Sequence, residues 1–362
     1  MKRSGAWVLV GLLCAIGLSA CMHLSVFSAD REHRQVGDDR TQFPLFLEPL
    51  KRNSLEWWYL NGHLQDSSEN SYAFHSALFR RYCFPYGYRW MLNTAFSDIA
   101  ADTTYRSYEI FRKRDAVRSI FGYDSKSLRI GNHQHQLQID PQQLKAQYWL
   151  DVFNGSIEAR PQTPLMAQAP GGMMTYMDGM QAGYLSFPFL QLNGQLQLQG
   201  KPVTVQGEGW FDRQWNALEL TKKKYRWDWL SIITDQFRLM IFRTVNARNG
   251  EEQVQGSWMN TDGSISYLNG DSILLHADEF WTSPQSGRTY PMQWQVLIPS
   301  RKLRACVDAR IHNGELALHA LGQNFMTYWE GPCSVWGVYG ERTLEGKGFL
   351  EMTNAPEARN ER

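Results

Sequence analysis

Residues 207–212 are Gly207-Glu208-Gly209-Trp210-Phe211-Asp212, and residues 346–351 repeat the pattern as Gly346-Lys347-Gly348-Phe349-Leu350-Glu351. Each closing phrase is preceded by an acidic-Trp opening, Glu56-Trp57-Trp58 in the first segment and Asp228-Trp229-Leu230 in the second. An apolar-Phe-Arg triplet follows each opening. The two triplets are Leu78-Phe79-Arg80 and Ile241-Phe242-Arg243. Three matching features in the same order indicate a duplicated structural unit.

The local pattern of each unit is one of strands and tight turns. Residues 190–198 alternate Leu with polar residues on both sides of Asn193-Gly194, a favoured two-residue hairpin turn. Long helical periodicity is scarce. We therefore predict an all-β chain of two tandem antiparallel β-barrels packed together, each wide enough to hold one small ligand. The N-terminal domain is predicted over 46–220 and the C-terminal domain over 225–356.

The first twenty residues are typical of a secretory signal. Two basic residues precede an apolar run over 6–17, which is too short to span a bilayer. The run ends in Leu18-Ser19-Ala20-Cys21, which resembles a bacterial lipobox. We predict a lipoprotein signal peptide over 1–20, lipidation of Cys21 and a polar tether over 21–45. An ordinary signal peptide with an incidental Cys is the alternative.

A lipidated Cys21 implies a protein of the bacterial cell envelope, bound to the membrane through its N-terminal lipid. A Met rather than an Asp follows this Cys, which favours the outer membrane, with the protein facing the periplasm. Cys306 and Cys333 can form a disulfide there, and buried free thiols are the alternative.

Composition excludes several functions. The 37 Lys and Arg residues nearly balance the 36 Asp and Glu residues, so no nucleic-acid partner is expected. The chain has no zinc-type cysteine spacing, no hydrolase nucleophile elbow and no dinucleotide glycine motif. We therefore expect no metal and no cofactor.

A methionine-rich stretch over 161–183 interrupts the strand pattern. Long loops of this kind are usually functional or disordered. A mobile surface loop, a lid over a greasy ligand and a Cu(I) site are the three interpretations, because thioethers adapt to apolar ligands and bind soft metals.

The phrase over 56–64, Glu56-Trp57-Trp58-Tyr59-Leu60-Asn61-Gly62-His63-Leu64, resembles a motif of the AttH-like and hydroxyneurosporene synthase (carotenoid 1,2-hydratase) family. Segments 209–216, 227–229, 327–331 and 346–352 resemble further motifs of that family. The resemblance implies two tandem lipocalin-like (calycin) domains that handle a long apolar ligand, and in some members a link to an ABC-type transporter. The chain departs from the hydratase pattern at two of its positions. They are Arg213, near a family His, and the strand at Phe242, where the hydratases carry an acid.

Carboxyl groups among aromatic residues are the candidates for chemistry. Asp212 lies beside two Trp residues, and Glu330 follows a Tyr and a Trp. A carboxyl group in apolar surroundings can remain protonated and act as a general acid, so both are candidate catalytic residues. For Asp212 the alternative is an internal ion pair with Arg213. The candidate ligand-binding residues are Trp210, Arg213, Trp215, His75, Tyr328 and Trp329.

Other repeated residues fit a structural role. The acids Glu56, Asp228 and Glu351 recur at equivalent points, which a structural role explains most simply. The Trp residues at 57, 58, 227 and 229 are expected to plug the barrel bases, with Arg80 and Arg243 as cation-π partners.

Three functions follow from these observations. The first is a carrier or transporter accessory protein that binds an isoprenoid, a fatty acyl chain or another lipid. The second is a hydratase, isomerase or cyclase that acts on an isoprenoid or polyene, with Asp212 or Glu330 as the general acid. The third is a structural envelope lipoprotein whose cavities are filled by side chains.

Overall fold

A computed structural model describes residue 50 and residues 55–83, 87–112, 128–131, 136–140, 143–150, 153–216, 225–320 and 323–353. These residues form two curled antiparallel sheets, which confirms the predicted all-β class. The predicted signal peptide, Cys21 and tether up to residue 45 lie outside the described residues, as do residues 221–224 between the two predicted domains.

The first sheet contains twelve strands in the order β4-β3-β2-β1-β12-β11-β8-β7-β6-β5, with β9 and β10 also paired to β11. Its strands are β1 Leu55–Asp66, β2 Ser71–Cys83, β3 Gly87–Asp98, β4 Thr103–Arg112, β5 Leu128–Gly131, β6 Gln136–Asp140, β7 Gln143–Leu150, β8 Phe153–Pro161, β9 Met166–Ala167, β10 Met173–Thr175, β11 Gln181–Leu198 and β12 Lys201–Trp215.

The second sheet contains ten strands in the order β16-β15-β14-β13-β22-β21-β19-β18-β17, with β20 paired to β21. Its strands are β13 Tyr225–Thr234, β14 Phe237–Asn246, β15 Glu252–Asn260, β16 Ile265–Asn269, β17 Leu274–Thr282, β18 Thr289–Ile298, β19 Leu303–Ala309, β20 Glu315–Ala320, β21 Gln323–Tyr339 and β22 Arg342–Met352.

The two sheets repeat the same pairing at their centres. In each, the first strand lies between the second strand and the last, so the opening and closing phrases become neighbours. The opening acids pair with the triplet arginines, Glu56 with Arg80 and Asp228 with Arg243.

The pairing of the closing phrase differs by two residues between the sheets. Asp212 lies opposite Tyr59, three residues after the opening acid of the first sheet. Glu351 lies opposite Trp229, only one residue after the opening acid of the second sheet. Because side chains alternate with a period of two, this shift leaves both acids on the same face of their sheets.

Each sheet has its own apolar core. Trp58 and Leu60 of β1 lie in the first core, and Leu230 and Ile232 of β13 lie in the second. A third apolar cluster joins the two halves and includes Tyr59 from β1 and Trp229 from β13. The barrels are therefore packed against each other through the outer faces of these strands.

An ion cluster plugs the first barrel. Glu56 accepts hydrogen bonds from both Arg80 and Arg213, and all three side chains are buried. The Arg213 guanidinium lies 4.1 Å from the Trp58 ring centroid. The predicted plug is therefore present, but Arg213 rather than Arg80 covers Trp58, and Arg80 lies over Tyr88.

The methionine-rich stretch is an ordered part of the interface. Met166, Met174 and Met180 are buried in the cluster between the barrels. Hydrogen bonds tie the stretch to the second barrel, from Ser257 Oγ to the Gln168 carbonyl at 2.7 Å and from Gln253 Nε2 to the Thr175 carbonyl at 3.2 Å. The loop interpretation is wrong here, because the thioethers fill the seam between two curved sheets.

The structure bears on the predicted disulfide and on membrane-spanning helices. Cys306 and Cys333 are buried free thiols, so the disulfide alternative is not realised. Within the described ranges, no helical segment has the length and apolarity that crossing a bilayer requires.

Candidate active site between the two barrels

A small cavity lies between the outer faces of the two barrels. Its volume is about 50 Å³, and its lining includes three carboxyl groups, from Asp212, Glu330 and Glu351. Three Trp, three Tyr and two Phe side chains form most of the remaining wall. The Trp and Tyr residues are Trp57, Trp227, Trp229, Tyr59, Tyr184 and Tyr328. Among the described residues that line it, none is basic.

Asp212 on β12 is held by three hydrogen-bond donors. Its carboxyl group accepts from Tyr184 Oη at 2.6 Å, from Trp210 Nε1 at 2.5 Å and from Ser186 Oγ. Burial nevertheless raises the pKa of Asp212 to about 7, against the opposing effect of these donors. The donors orient the group, and they stabilise its ionised form.

Glu330 on β21 has a different environment. Tyr59 Oη donates to its Oε1, and its Oε2 lies 3.3 Å from His75 Nε2. Burial raises the pKa of Glu330 well above its usual range, and the negative charge of nearby Glu351 raises it further. Glu330 is therefore the carboxyl group of the cavity most suited to carry a proton at neutral pH.

Glu351 on β22 is the third acid and occupies the position in the second closing phrase that Asp212 occupies in the first. It accepts a hydrogen bond from Trp227 Nε1 at 2.7 Å. Burial raises the pKa of Glu351 to about 7, with a further contribution from the charge of Asp212. The repeated motif predicted a structural role for Glu351. Its equivalence to Asp212 was the signal that it also faces the cavity.

His75 on β2 lies behind the cavity, on the outer face of the first barrel. It is buried, and burial together with the positive charge of Arg106 lowers the pKa of His75 to about 3. The imidazole is therefore neutral across the physiological range, and it faces Glu330.

The remaining candidate residues divide into two groups. Tyr328 lines the cavity, and Trp210 supports it through Asp212. Arg213 lies in the plug of the first barrel, whereas Trp215 packs with Leu50 and Leu185. Trp329 lies in the core of the second barrel, where its Nε1 donates to the His312 carbonyl at 2.8 Å. The last three side chains therefore do not face the cavity.

Of the predicted plugging tryptophans, only Trp58 lies inside a barrel. Trp57, Trp227 and Trp229 point outward and line the cavity instead. Alternation along each strand explains the difference, because adjacent residues face opposite sides of a sheet.

A family model described as AttH-like matches residues 34–355. The chain belongs to the AttH-like family. No curated protein sequence is significantly similar to it. Among the described residues of this AttH-like protein, no three His, Cys, Asp or Glu side chains converge as metal ligands.

Solved structures share the fold of this AttH-like protein at low sequence identity. A structure described as AttH from Nitrosomonas europaea has a TM-score of 0.73 at 21% identity, covering 86% of this chain and 96% of that one. Kievitone hydratase from Nectria haematococca has a TM-score of 0.64 at 13% identity, covering 84% and 89%. CghA with Sch210972 has a TM-score of 0.56 at 14% identity, covering 83% and 88%. These likenesses confirm two tandem lipocalin-like barrels.

The raised pKa values predict a pH dependence of stability. A carboxyl group that releases its proton near pH 4 when unfolded and near pH 7 when folded binds more protons in the folded state between these values. Its stabilising contribution is therefore lost as the pH rises through 7. We expect Glu351→Gln to gain thermal stability relative to the wild type between pH 5 and pH 8.

Two buried histidines change the stability of the fold with pH in the opposite direction. Their contribution is the same in variant and wild type, so it cancels when the two melting temperatures are compared at each pH. His63 and His75 have pKa values lowered to about 4 and about 3, so they favour the folded state as the pH rises. Glu345→Gln is the matched control, because Glu345 is exposed on the same strand. A difference between Glu351→Gln and the wild type that does not change with pH would contradict the assignment.

Proposed function

We propose that this protein is an enzyme that protonates a carbon–carbon double bond in an apolar substrate, an isoprenoid or a polyene. The observation that carries the proposal is a proton-retaining carboxyl group, Glu330, in a cavity walled by aromatic rings. Protonating an alkene requires an acid placed in apolar surroundings, and positioned general acids contribute about 10²–10⁴-fold to rates. The shared fold with kievitone hydratase supports the proposal.

Each part of the cavity has a role in this chemistry. Glu330 donates the proton to carbon, which leaves a positive charge on the neighbouring carbon. Asp212, oriented by its three donors, and the faces of the surrounding rings stabilise that charge. The departures at Arg213 and Phe242 are compatible with this scheme, because Glu330 supplies the acid from another strand.

The carrier function receives less support from this site. Pockets that hold drug-sized ligands have volumes of roughly 300–1,000 Å³ and are mostly apolar. The cavity here is about 50 Å³ and contains three carboxyl groups. Burying carboxyl groups against an apolar chain costs free energy, which would weaken the binding of an apolar ligand by a carrier protein. The side chains of the wall must move to admit a long apolar molecule in either case, so the three carboxyl groups, and not the volume, favour an enzyme over a carrier.

A labelling experiment tests the proposal. The protein is incubated with geraniol, farnesol, squalene and oleic acid in D₂O, and the products are analysed by mass spectrometry. We expect deuterium on a former alkene carbon for at least one compound. If all four are recovered unlabelled while the protein purified from its own envelope carries a bound lipid, the carrier function is favoured instead.

A second experiment requires no substrate. Benzyltrimethylammonium carries a positive charge where neopentylbenzene, its isostere, has a neutral carbon. We expect calorimetry to show binding of the ammonium compound about tenfold tighter, since cation-π attraction and the carboxylates favour charge. Glu351→Gln should reduce this preference, and Glu345→Gln should preserve it. Equal affinities for the two compounds would indicate a generic apolar pocket.

The cellular setting stays a prediction. We propose that Cys21, which lies outside the described residues, is lipidated. We also propose attachment to the outer membrane, facing the periplasm, and a transporter partner. An apolar substrate fits such a location, because lipids and isoprenoids partition into membranes.

A further inference from the structure

Two buried polar side chains face each other behind Glu330. Asn61 of β1 lies directly opposite His75 of β2, so their side chains are neighbours on the outer face of the first barrel. Their relative exposures are 2% and 3%. Within the part of the chain that the structure describes, neither Asn61 Nδ2 nor His75 Nε2 makes a hydrogen bond of normal geometry, although Asn61 is close enough to Tyr59 to oppose the rise of the Tyr59 pKa.

Such atoms indicate a site for water. A buried donor or acceptor without a partner costs about 1–3 kcal/mol, and internal water molecules usually satisfy such groups. Asn61 Nδ2 is a donor. In the tautomer with its proton on Nδ1, His75 offers Nε2 as an acceptor. Glu330 Oε2, 3.3 Å from His75 Nε2, provides a third polar contact.

We propose that Asn61, His75 and Glu330 hold a water molecule that becomes the hydroxyl group of the product. This inference rests on the proposed function, and it selects hydration over isomerisation and cyclisation. An enzyme that only moves a proton or closes a ring has no use for additional buried donors and acceptors next to its acid, where His75 Nε2 lies 3.3 Å from Glu330 Oε2.

The reaction balances without any further reagent. The Glu330 carboxyl group gives its proton to one alkene carbon, and the π electrons form the new C–H bond. The water oxygen donates a lone pair to the adjacent cationic carbon and forms the C–O bond. The resulting oxonium group gives a proton to His75 Nε2. The imidazolium passes its Nε2 proton to Glu330 Oε2, which restores the starting acid, so alkene plus water becomes alcohol.

The charges around His75 favour this direction of proton flow. Burial and the charge of Arg106 make the imidazolium a strong acid, with a pKa lowered to about 3. Glu330 has its pKa raised by burial and by Glu351, and Tyr59 and Tyr328 are its other titratable neighbours. His75 therefore relays the proton and does not store it.

The first test is a crystal structure of the wild-type protein and of Asn61→Leu. We expect an ordered water within hydrogen-bond distance of both Asn61 Nδ2 and His75 Nε2 in the wild type, and its loss in the variant. A wild-type structure without water at these two atoms overturns the inference. This result needs no substrate, so it decides whether the water site exists even if the proposed enzymatic function fails.

The second test separates water addition from protonation. In D₂O enriched in ¹⁸O, the wild type should produce alcohol that contains ¹⁸O and should also exchange deuterium into recovered alkene. Asn61→Leu should lower the ratio of alcohol to deuterium exchange by about tenfold, because the water loses a hydrogen bond. Continued exchange would show that the variant folds and retains its acid.

The control variant is Ser76→Ala, on the strand of His75. Ser76 bonds to Thr94 and points to the opposite face of the sheet, so the ratio should not change. If Asn61→Leu lowers both reactions equally, Asn61 is only structural and the inference is overturned. If the wild type shows neither reaction, the proposed function fails, and the crystal structure alone decides whether the water site exists.

Discussion

Replacing Glu330 with Gln should lower turnover of a reactive alkene by about 10²–10⁴-fold, the usual contribution of a general acid. Glutamine keeps the size of the side chain and accepts the hydrogen bond from Tyr59, but it carries no proton acidic enough for an alkene carbon. The measurement is deuterium incorporation into the substrate that the wild type transforms. The melting temperature of the variant should stay close to that of the wild type or rise, because a buried ionisable group has been removed.

Glu345→Gln provides the matched control for this loss. Glu345 lies on β22 and is exposed, so the same chemical change there should leave the rate unchanged. If Glu330→Gln retained more than about half of the wild-type rate, Glu330 would not be the acid. Asp212 and Glu351 would then be the remaining carboxyl groups of the cavity.

Replacing Glu56 with Ala should destabilise the first barrel by about 3–5 kcal/mol, as expected when one partner of a buried ion pair is removed. The substitution leaves two guanidinium groups, Arg80 and Arg213, without their shared carboxylate. The Arg213 side chain is fully buried and that of Arg80 is nearly so. Urea denaturation followed by circular dichroism measures the change.

The second barrel offers the matched control for Glu56. Glu252 pairs with Arg243 of that barrel, but its side chain is 45% exposed. Glu252→Ala should therefore cost less than about 1 kcal/mol, as surface ion pairs usually do. Similar losses for the two variants would mean that the plug contributes no more than a surface contact.

Much of the architecture was predictable from local patterns. The hairpin turn predicted at Asn193-Gly194 is wrong, because β11 continues through these residues as one strand that pairs with β8 and β12. The turn lies instead at Gln199-Gly200, where both residues have positive φ. A two-residue turn signal inside a long run of alternating Leu and Gln residues did not outweigh the pairing of that run with strands on both sides. The ion pairs Glu56–Arg80 and Asp228–Arg243 recur in the two barrels, whereas the sequence predicted these arginines only as cation-π partners of tryptophans.

The candidate site was predictable only in part. Asp212, Glu330 and Tyr328 line one cavity, whereas Arg213, Trp215 and Trp329 face barrel interiors or other packing. These residues share the same motifs, so motif membership did not distinguish them. The alternation along β1 held an overlooked signal. Aromatic side chains on both of its faces, Trp57 and Tyr59 on one and Trp58 on the other, indicate a strand that is buried on both sides.

The amino-acid sequence by itself determined that this chain forms two related antiparallel barrels, because alternation, turns and the repeated phrase act between residues close along a strand or its neighbour. Only the tertiary structure decided where the acids meet. Tyr59 and Glu330 are separated by 271 positions yet share a hydrogen bond. Their contact depends on which outer faces of the two barrels pack together. The packing of these faces depends on shape complementarity and burial over the whole interface. The sequence of one strand does not contain that information.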